Sequence, residues 1–357
     1  MVPYYLLFGI PICIHFFTRI TKTNKRNLVV GSFFAFFIVI LALRSEDCGV
    51  DLSRYLPYFE HARDLSWSEA FHQEIEPGYW ILQKAVGVFS LNFNVFLTVV
   101  TLISLVPVWV LYAREKENAL LLVILFTAVA PFSMYFSGLR QIAAMGFGII
   151  AWFFVKKKRF ICFVLTVLLA MTFHQSAFVL LLLLPAYYFR ITKRRVVPIA
   201  LAMVALYIFK KQVFGVLIAV IGQFEERYST FVLTSTKAYG VLFLLILFAV
   251  YAFVIPDENK LDKDALALRN VLILAICIQC FAPIHTLVMR MNYYFLPFVP
   301  LTITKVIGAR KKGYERLTKI SIWLMCIVFT GVFFYKAYTG EDMLQIFPYV
   351  PFWRTAS

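Results

Sequence analysis

Three arginines are placed where they could do chemistry. Arg44, Arg140 and Arg290 each sit beside a charge-poor run, outside the chain's basic clusters. A guanidinium near or within a membrane is costly unless it is paired or used. Its planar fork donates two hydrogen bonds at once and keeps its charge, which suits a phosphate or diphosphate. The competing roles for each are an ion pair with an acid or snorkelling to lipid phosphate. His174 is the only Lys, Arg, His, Asp or Glu between 160 and 189. It is either a structural hydrogen-bond donor or, near neutral pH, a general base or phosphate donor. Asp51 and Glu76 lie in a segment that mixes acids with Tyr55, Tyr58 and Tyr79. Carboxylates accept sugar hydroxyls and aromatic faces stack on sugar rings, although a solvated acidic loop has the same composition. Asp51, Glu76 and His174 are therefore candidate bases for a sugar hydroxyl. Arg140 and Arg290, with Arg44, are candidate ligands for an anion. Three arginines at helix ends on one side favour a shared anionic ligand.

The elements that must hold these residues are membrane helices. The chain has 357 residues, of which 62% are hydrophobic and only 15% charged, with mean hydropathy +0.81. A soluble domain would be about a quarter charged, so the reading is one polytopic membrane domain over 1–357. The first apolar run lacks a basic leader and a small-residue cleavage site and reads as a retained helix. Cys277 and Cys280 lie a helical turn apart in an apolar run, where packing is the more frequent role. No phosphate-binding loop, dinucleotide glycine pattern, HExxH or Asp-x-Asp pattern is present, so no cofactor and no metal are expected.

Charge sets the orientation. Basic clusters at Arg19–Arg26, Lys156–Arg159, Arg190–Arg195 and Arg310–Lys319 belong on the cytoplasmic side. With the loops at 114–117 and 256–269 they carry the whole net charge of +16. The basic balance is thus a topology signal and gives no nucleic-acid footprint. About 12 transmembrane helices follow, at roughly 20 residues each, with both termini outside. The run 160–189 is too long for one crossing and basic at both ends, so it should turn near His174. Similar hairpins over 118–155 and 270–307 put Arg140 and Arg290 at outer ends. Three outer segments remain: 44–90, a polar loop plus an interfacial helix starting at Glu76-Pro77; 210–238; and the tail 340–357.

Together the motifs resemble the EpsG family of Wzy-like polysaccharide polymerases. They are Arg44 with Gly49-Val-Asp51 and Tyr55, Glu76-Pro77-Gly78-Tyr79, Ser137-Gly-Leu-Arg140-Gln141, Phe173-His174-Gln-Ser176, Arg290 with Tyr293 and Tyr294, and Phe347-Pro348-Tyr349. Leu52 stands where such families often have Thr or Ser after the aspartate. The resemblance implies a metal-independent glycosyltransferase of the bacterial cell (inner) membrane, its active site facing the periplasm or outside. It would join undecaprenyl-diphosphate-linked repeat units into an O-antigen-like polymer. Tyr55, Tyr79, Gln141 and Tyr293 would contact sugars. A chain-length regulator and a flippase stand as candidate partners, besides the bilayer. The rival classes are a lipid-linked oligosaccharide flippase or transporter, and a membrane O-acyltransferase. A transporter should show an internal repeat and broken mid-membrane helices, and neither is evident. An acyltransferase would need a motif near the inner face, where only His15 lies.

Overall fold

Apolar runs bounded by capping residues and prolines fold here into helices in the order the chain supplies them. A computed structural model describes residues 1–21, 26–73, 76–114, 118–129, 131–189, 191, 193–222, 239–340 and 344–354. The described structure is all-α, with only two isolated β-bridges. The expected loop 114–117 lies largely outside the described residues, as do Lys22, Lys25, Arg190, 223–238, 341–343 and 355–357.

The chain divides into two units, 1–181 with 319–357, and 182–318. The first unit opens with α1 (Val2–Ile20) and α2 (Arg26–Ala42). A polar segment follows with α3 (Leu52–Asp64), α4 (Trp67–Phe71) and α5 (Pro77–Phe89). On α3, Leu52, Tyr55, Phe59 and Ala62 form the buried stripe, the three-to-four spacing of an amphipathic helix. A reciprocal capping box starts α4: Ser66 Oγ accepts from the Glu69 N–H at 3.2 Å, and Glu69 Oε2 accepts from the Ser66 N–H at 2.6 Å. Pro77 occupies the first turn of α5.

Asn92 caps α6 (Phe93–Ala113), accepting from the Asn94 N–H at 2.8 Å. Its 21 residues span roughly 31 Å, enough to cross a bilayer. Next come α7 (Ala119–Val129), the single turn α8 (Met134–Ser137), α9 (Leu139–Lys156) and α10 (Phe160–Phe173). Helix α9 packs between α6 and α10, and α5 packs against α3, α4, α6 and α10. Between α7 and α9 the described residues hold only the single turn α8, and at His174 α10 gives way to a 3-10 stretch, Gln175–Leu182.

In the second unit α11 (Leu183–Tyr188), α12 (Lys193–Ile208), α13 (Lys210–Gly222) and α14 (Tyr239–Val254) precede α15 (Lys263–Gln279). Helix α15 is central, packing on α11, α14, α16 (Thr286–Asn292) and α17 (Val299–Gly308). It starts well before its apolar run because Asp262 caps it, accepting from the Ala265 N–H at 2.6 Å. The charge this brings inside is paired: Arg269, almost fully buried, forks onto Glu258 at 2.6 and 3.2 Å. The last helix, α18 (Glu315–Thr339), belongs from Lys319 on to the first unit.

Among the described residues, four helices, α1, α6, α9 and α18, are long and apolar enough to cross a membrane. The pair α12–α13, bent by 78°, makes up to five. Six further apolar helical stretches, such as Asn27–Ala42 and Tyr239–Val254, are shorter, at 10–17 residues. The chain is a helical membrane protein.

Candidate active site

Glu76 is the centre of the site. It caps α5 with a left-handed backbone, φ 59° and ψ 55°. A residue before proline is normally extended, so this geometry costs on the order of 1–3 kcal/mol. It turns the carboxylate inward, where the side chain is only 5% exposed. The two carboxylate oxygens have different partners. Arg140, in the first turn of α9, donates from Nη1 to Oε2 at 2.6 Å. His174, the residue that ends α10, places Nδ1 2.6 Å from Oε1.

Three helix ends therefore converge, and close packing lets them. A Cβ on Gly78 would lie 2.2 Å from Thr172 Oγ1 and 2.9 Å from its Cβ. Only a glycine allows the start of α5 this close to the end of α10. Gly78→Ala should force the two helices apart and draw Glu76 from His174. A misplacement of this size costs roughly 100-fold in rate. Thr172→Gly in the same chain should recover most of the loss in turnover; no recovery would show that the contact is not what matters.

The chemistry of the cluster follows from its donors and acceptors. A carboxylate held by Arg140 offers only lone pairs, so Nδ1 must carry the hydrogen shared with Glu76. The lone pair of a neutral His174 is then on Nε2, in a side chain 21% exposed. Arg140 is 39% exposed, and its guanidinium also bonds the Tyr55 hydroxyl and lies 5.9 Å from the Tyr55 ring centroid. The N-terminal amides of α9 add partial positive charge beside it. Burial raises the Tyr55 and Tyr79 phenols above their ordinary range, so both stay protonated.

Other candidates fall elsewhere. Tyr55 and Tyr79 are almost fully buried and meet edge-to-face at 5.9 Å beside Arg140. Gln141, the next residue of α9, is also buried. Asp51 caps α3 beside the site but does not bond to it. Ser137 Oγ donates to its Oδ2 and accepts from its N–H, both at 3.1 Å. That link joins the Gly49–Asp51 motif to the segment leading into Arg140. Gly49, at φ 131°, lets the turn pass where a Cβ would come within 2.2 Å of the Phe136 carbonyl oxygen.

Arg44 is fully buried. Nη1 donates to the Leu41 carbonyl, while Nε and Nη2 find no partner in the structure. Burial pushes the guanidinium down to about 10. Arg44→Met removes a buried charge with no acidic partner, and such replacements are often neutral or stabilising. The expected result is an unchanged or higher melting temperature. A marked fall would mean that Arg44 has a counter-ion when folded in the membrane.

Arg290 and Tyr293 belong to the second unit, Arg290 exposed on α16 with Tyr293 within electrostatic reach. His285 caps α16 there, its Nδ1 accepting from the Leu287 N–H at 3.1 Å. Its acceptor nitrogen is used, and burial lowers its affinity for a proton, both of which count against it as a base. The fold adds Trp80: Tyr58, half-exposed on α3, meets it at 5.8 Å, and His61 meets the same indole at 5.9 Å. Trp80 lies one turn along α5 from Glu76, a spacing that could have flagged it. Among the described residues no three His, Cys, Asp or Glu side chains group as metal ligands would.

Fold and site together define a helical membrane protein with an acid–histidine–arginine cluster where helix ends meet. The chain belongs to the EpsG family, which matches residues 3–350 and is associated with Wzy-like polysaccharide polymerases. No curated protein and no solved structure matches it.

Proposed function

We propose that this protein polymerises undecaprenyl-diphosphate-linked oligosaccharide repeat units on the extracytoplasmic face of the bacterial cell membrane. The observation that carries the reading is Glu76, bonded at 2.6 Å to both His174 and Arg140. His174 Nε2 takes the proton of the acceptor sugar hydroxyl. The freed oxygen bonds to the anomeric carbon of the growing chain. The bond from that carbon to the diphosphate breaks, and its electron pair leaves with the diphosphate. Arg140 and the start of α9 meet the charge that develops there. Glu76 holds the imidazole in the required tautomer and balances the imidazolium that forms. Tyr58 and Trp80 offer aromatic surface for sugar rings near the reacting groups. The diphosphate bond supplies the driving force, so this scheme uses no nucleotide.

Deleting the gene and resolving the surface glycan on a gel tests the reaction. A product with a single repeat unit is expected; loss of all surface product would mean a transporter.

The same reading has about 12 crossings, both termini outside, and 44–90 outside, because that arrangement keeps the excess positive charge within. A reporter fused at Lys157 should read cytoplasmic and one at Asp64 external. The reverse at either position would remove His174 from the outer face.

A further inference from the structure

The second unit holds an apolar crevice of about 570 Å³ between α12, α14 and α15. Met203, Tyr207, Ile246, Phe253, Ile276 and Cys280 are among its walls. Among the described residues, no acid, amide or base lines it. At one end, where α12 turns through 78° into α13, stands Lys210. Its Nζ lies 3.7 Å from the Tyr207 ring centroid and 5.8 Å from that of Tyr239, and within electrostatic reach of Cys280. Tyr207 and Cys280 both line the crevice, so the cation caps its end.

Helix α12 is short for a crossing, with Arg195 and Lys210 near its two ends. Such a helix sits with its cations at headgroup depth. An elbow at that depth puts Lys210 beside lipid phosphates. In hydrocarbon, helices are held by van der Waals contact, and a chain lying in the crevice would supply it to all three walls. The filler must be a chain, and the group at its end must be anionic. A diphosphate-linked glycan would need forked donors and sugar contacts, which the crevice lacks. A single phosphate on one or two lysines is what this end can hold.

We propose that the crevice binds one acyl chain of an anionic phospholipid from the surrounding leaflet, its phosphate on Lys210. The site is independent of the polymerase reading. The lipid would be a resident that holds α12 against α14 and α15.

The test uses the full-length protein purified from membranes, stripped of lipid and titrated with phosphatidylglycerol or phosphatidylcholine. Native mass spectrometry reads the bound lipid. Phosphatidylglycerol should be retained over phosphatidylcholine by about fivefold, the worth of one lysine at an anionic surface. Lys210→Glu should abolish that preference. Lys312→Glu, an exposed cation on another loop, should not change it. Ala200→Trp, at an exposed crevice position on α12, should remove retention of both lipids. If that variant fails to elute as the wild type does, Val204→Trp, likewise exposed on the crevice wall, takes its place. Equal retention of the two lipids would overturn the proposal. So would an equal effect of Lys312→Glu, or no effect of filling the crevice. Displacement by equimolar undecaprenyl phosphate would also overturn it, assigning the crevice to the substrate's tail.

Discussion

His174→Gln should lower polymerisation by about two to four orders of magnitude, the usual worth of a general base, while lipid-linked donor still binds. Glutamine keeps a polar side chain at this position but cannot take up the hydroxyl proton. Glu76→Gln should fall by a similar factor, because a neutral amide neither balances an imidazolium nor fixes its tautomer. The double variant separates this account from two independent contributions. If Glu76 acts through His174, the double loss should be close to the larger single loss, since residues acting as a unit are far from additive. Initial rates on purified variants, with donor binding measured in parallel, decide the matter. A His174→Gln protein with near-normal turnover, beside an inactive Asp51→Asn, would move the base to Asp51. That outcome is chemically reasonable, because Asp51 stands beside the same cluster with only one of its oxygens bonded to Ser137.

Arg140→Lys is the second large effect. Lysine keeps the charge but loses the planar fork. In the structure that fork is divided: Nη1 holds Glu76, the Tyr55 hydroxyl takes a second bond, and the exposed part remains for a ligand. A single ammonium cannot hold the carboxylate at 2.6 Å and also face a leaving group. Removing one preorganised donor from a developing anion costs about 10²–10³ in rate, and the expected loss lies in that range. The loss should fall mainly on turnover, because charge develops on the leaving group as its bond breaks. A variant that binds donor poorly but turns over normally would make Arg140 a ground-state ligand. Arg140→Ala is less informative, because it leaves Glu76 buried without its cation and confounds folding with catalysis. Arg290→Lys tests whether the second unit takes part in the same step.

Much of this protein is local and therefore readable from sequence. Composition excludes a soluble fold, since 15% charge cannot cover a water-facing surface. Helix starts follow from side chains that cap their own backbone, as with Ser66, Asn92 and Asp262. The break at His174 follows from bilayer thickness and basic flanks. The residue types also narrow the chemistry to a hydroxyl, a base and an anion.

What sequence could not decide is which acid serves which base. His174 is 98 positions from Glu76, and Arg140 is 64. Such pairings depend on how closely helices approach, and here a missing side chain at Gly78 sets the approach. Asp51 and Glu76 look equivalent along the chain. Packing separates them: one carboxylate bonds Ser137, the other receives both the arginine and the histidine. Tyr55 and Tyr79 read as sugar contacts because acids mixed with tyrosines suit a carbohydrate site. Helical spacing instead turns Tyr55 into the buried stripe of α3, and Tyr79 packs against it and Phe96. Arg44 read as a ligand by type, yet the shape of its surroundings encloses it. Periodicity reports which face of a helix is apolar; only packing in three dimensions decides what that face meets.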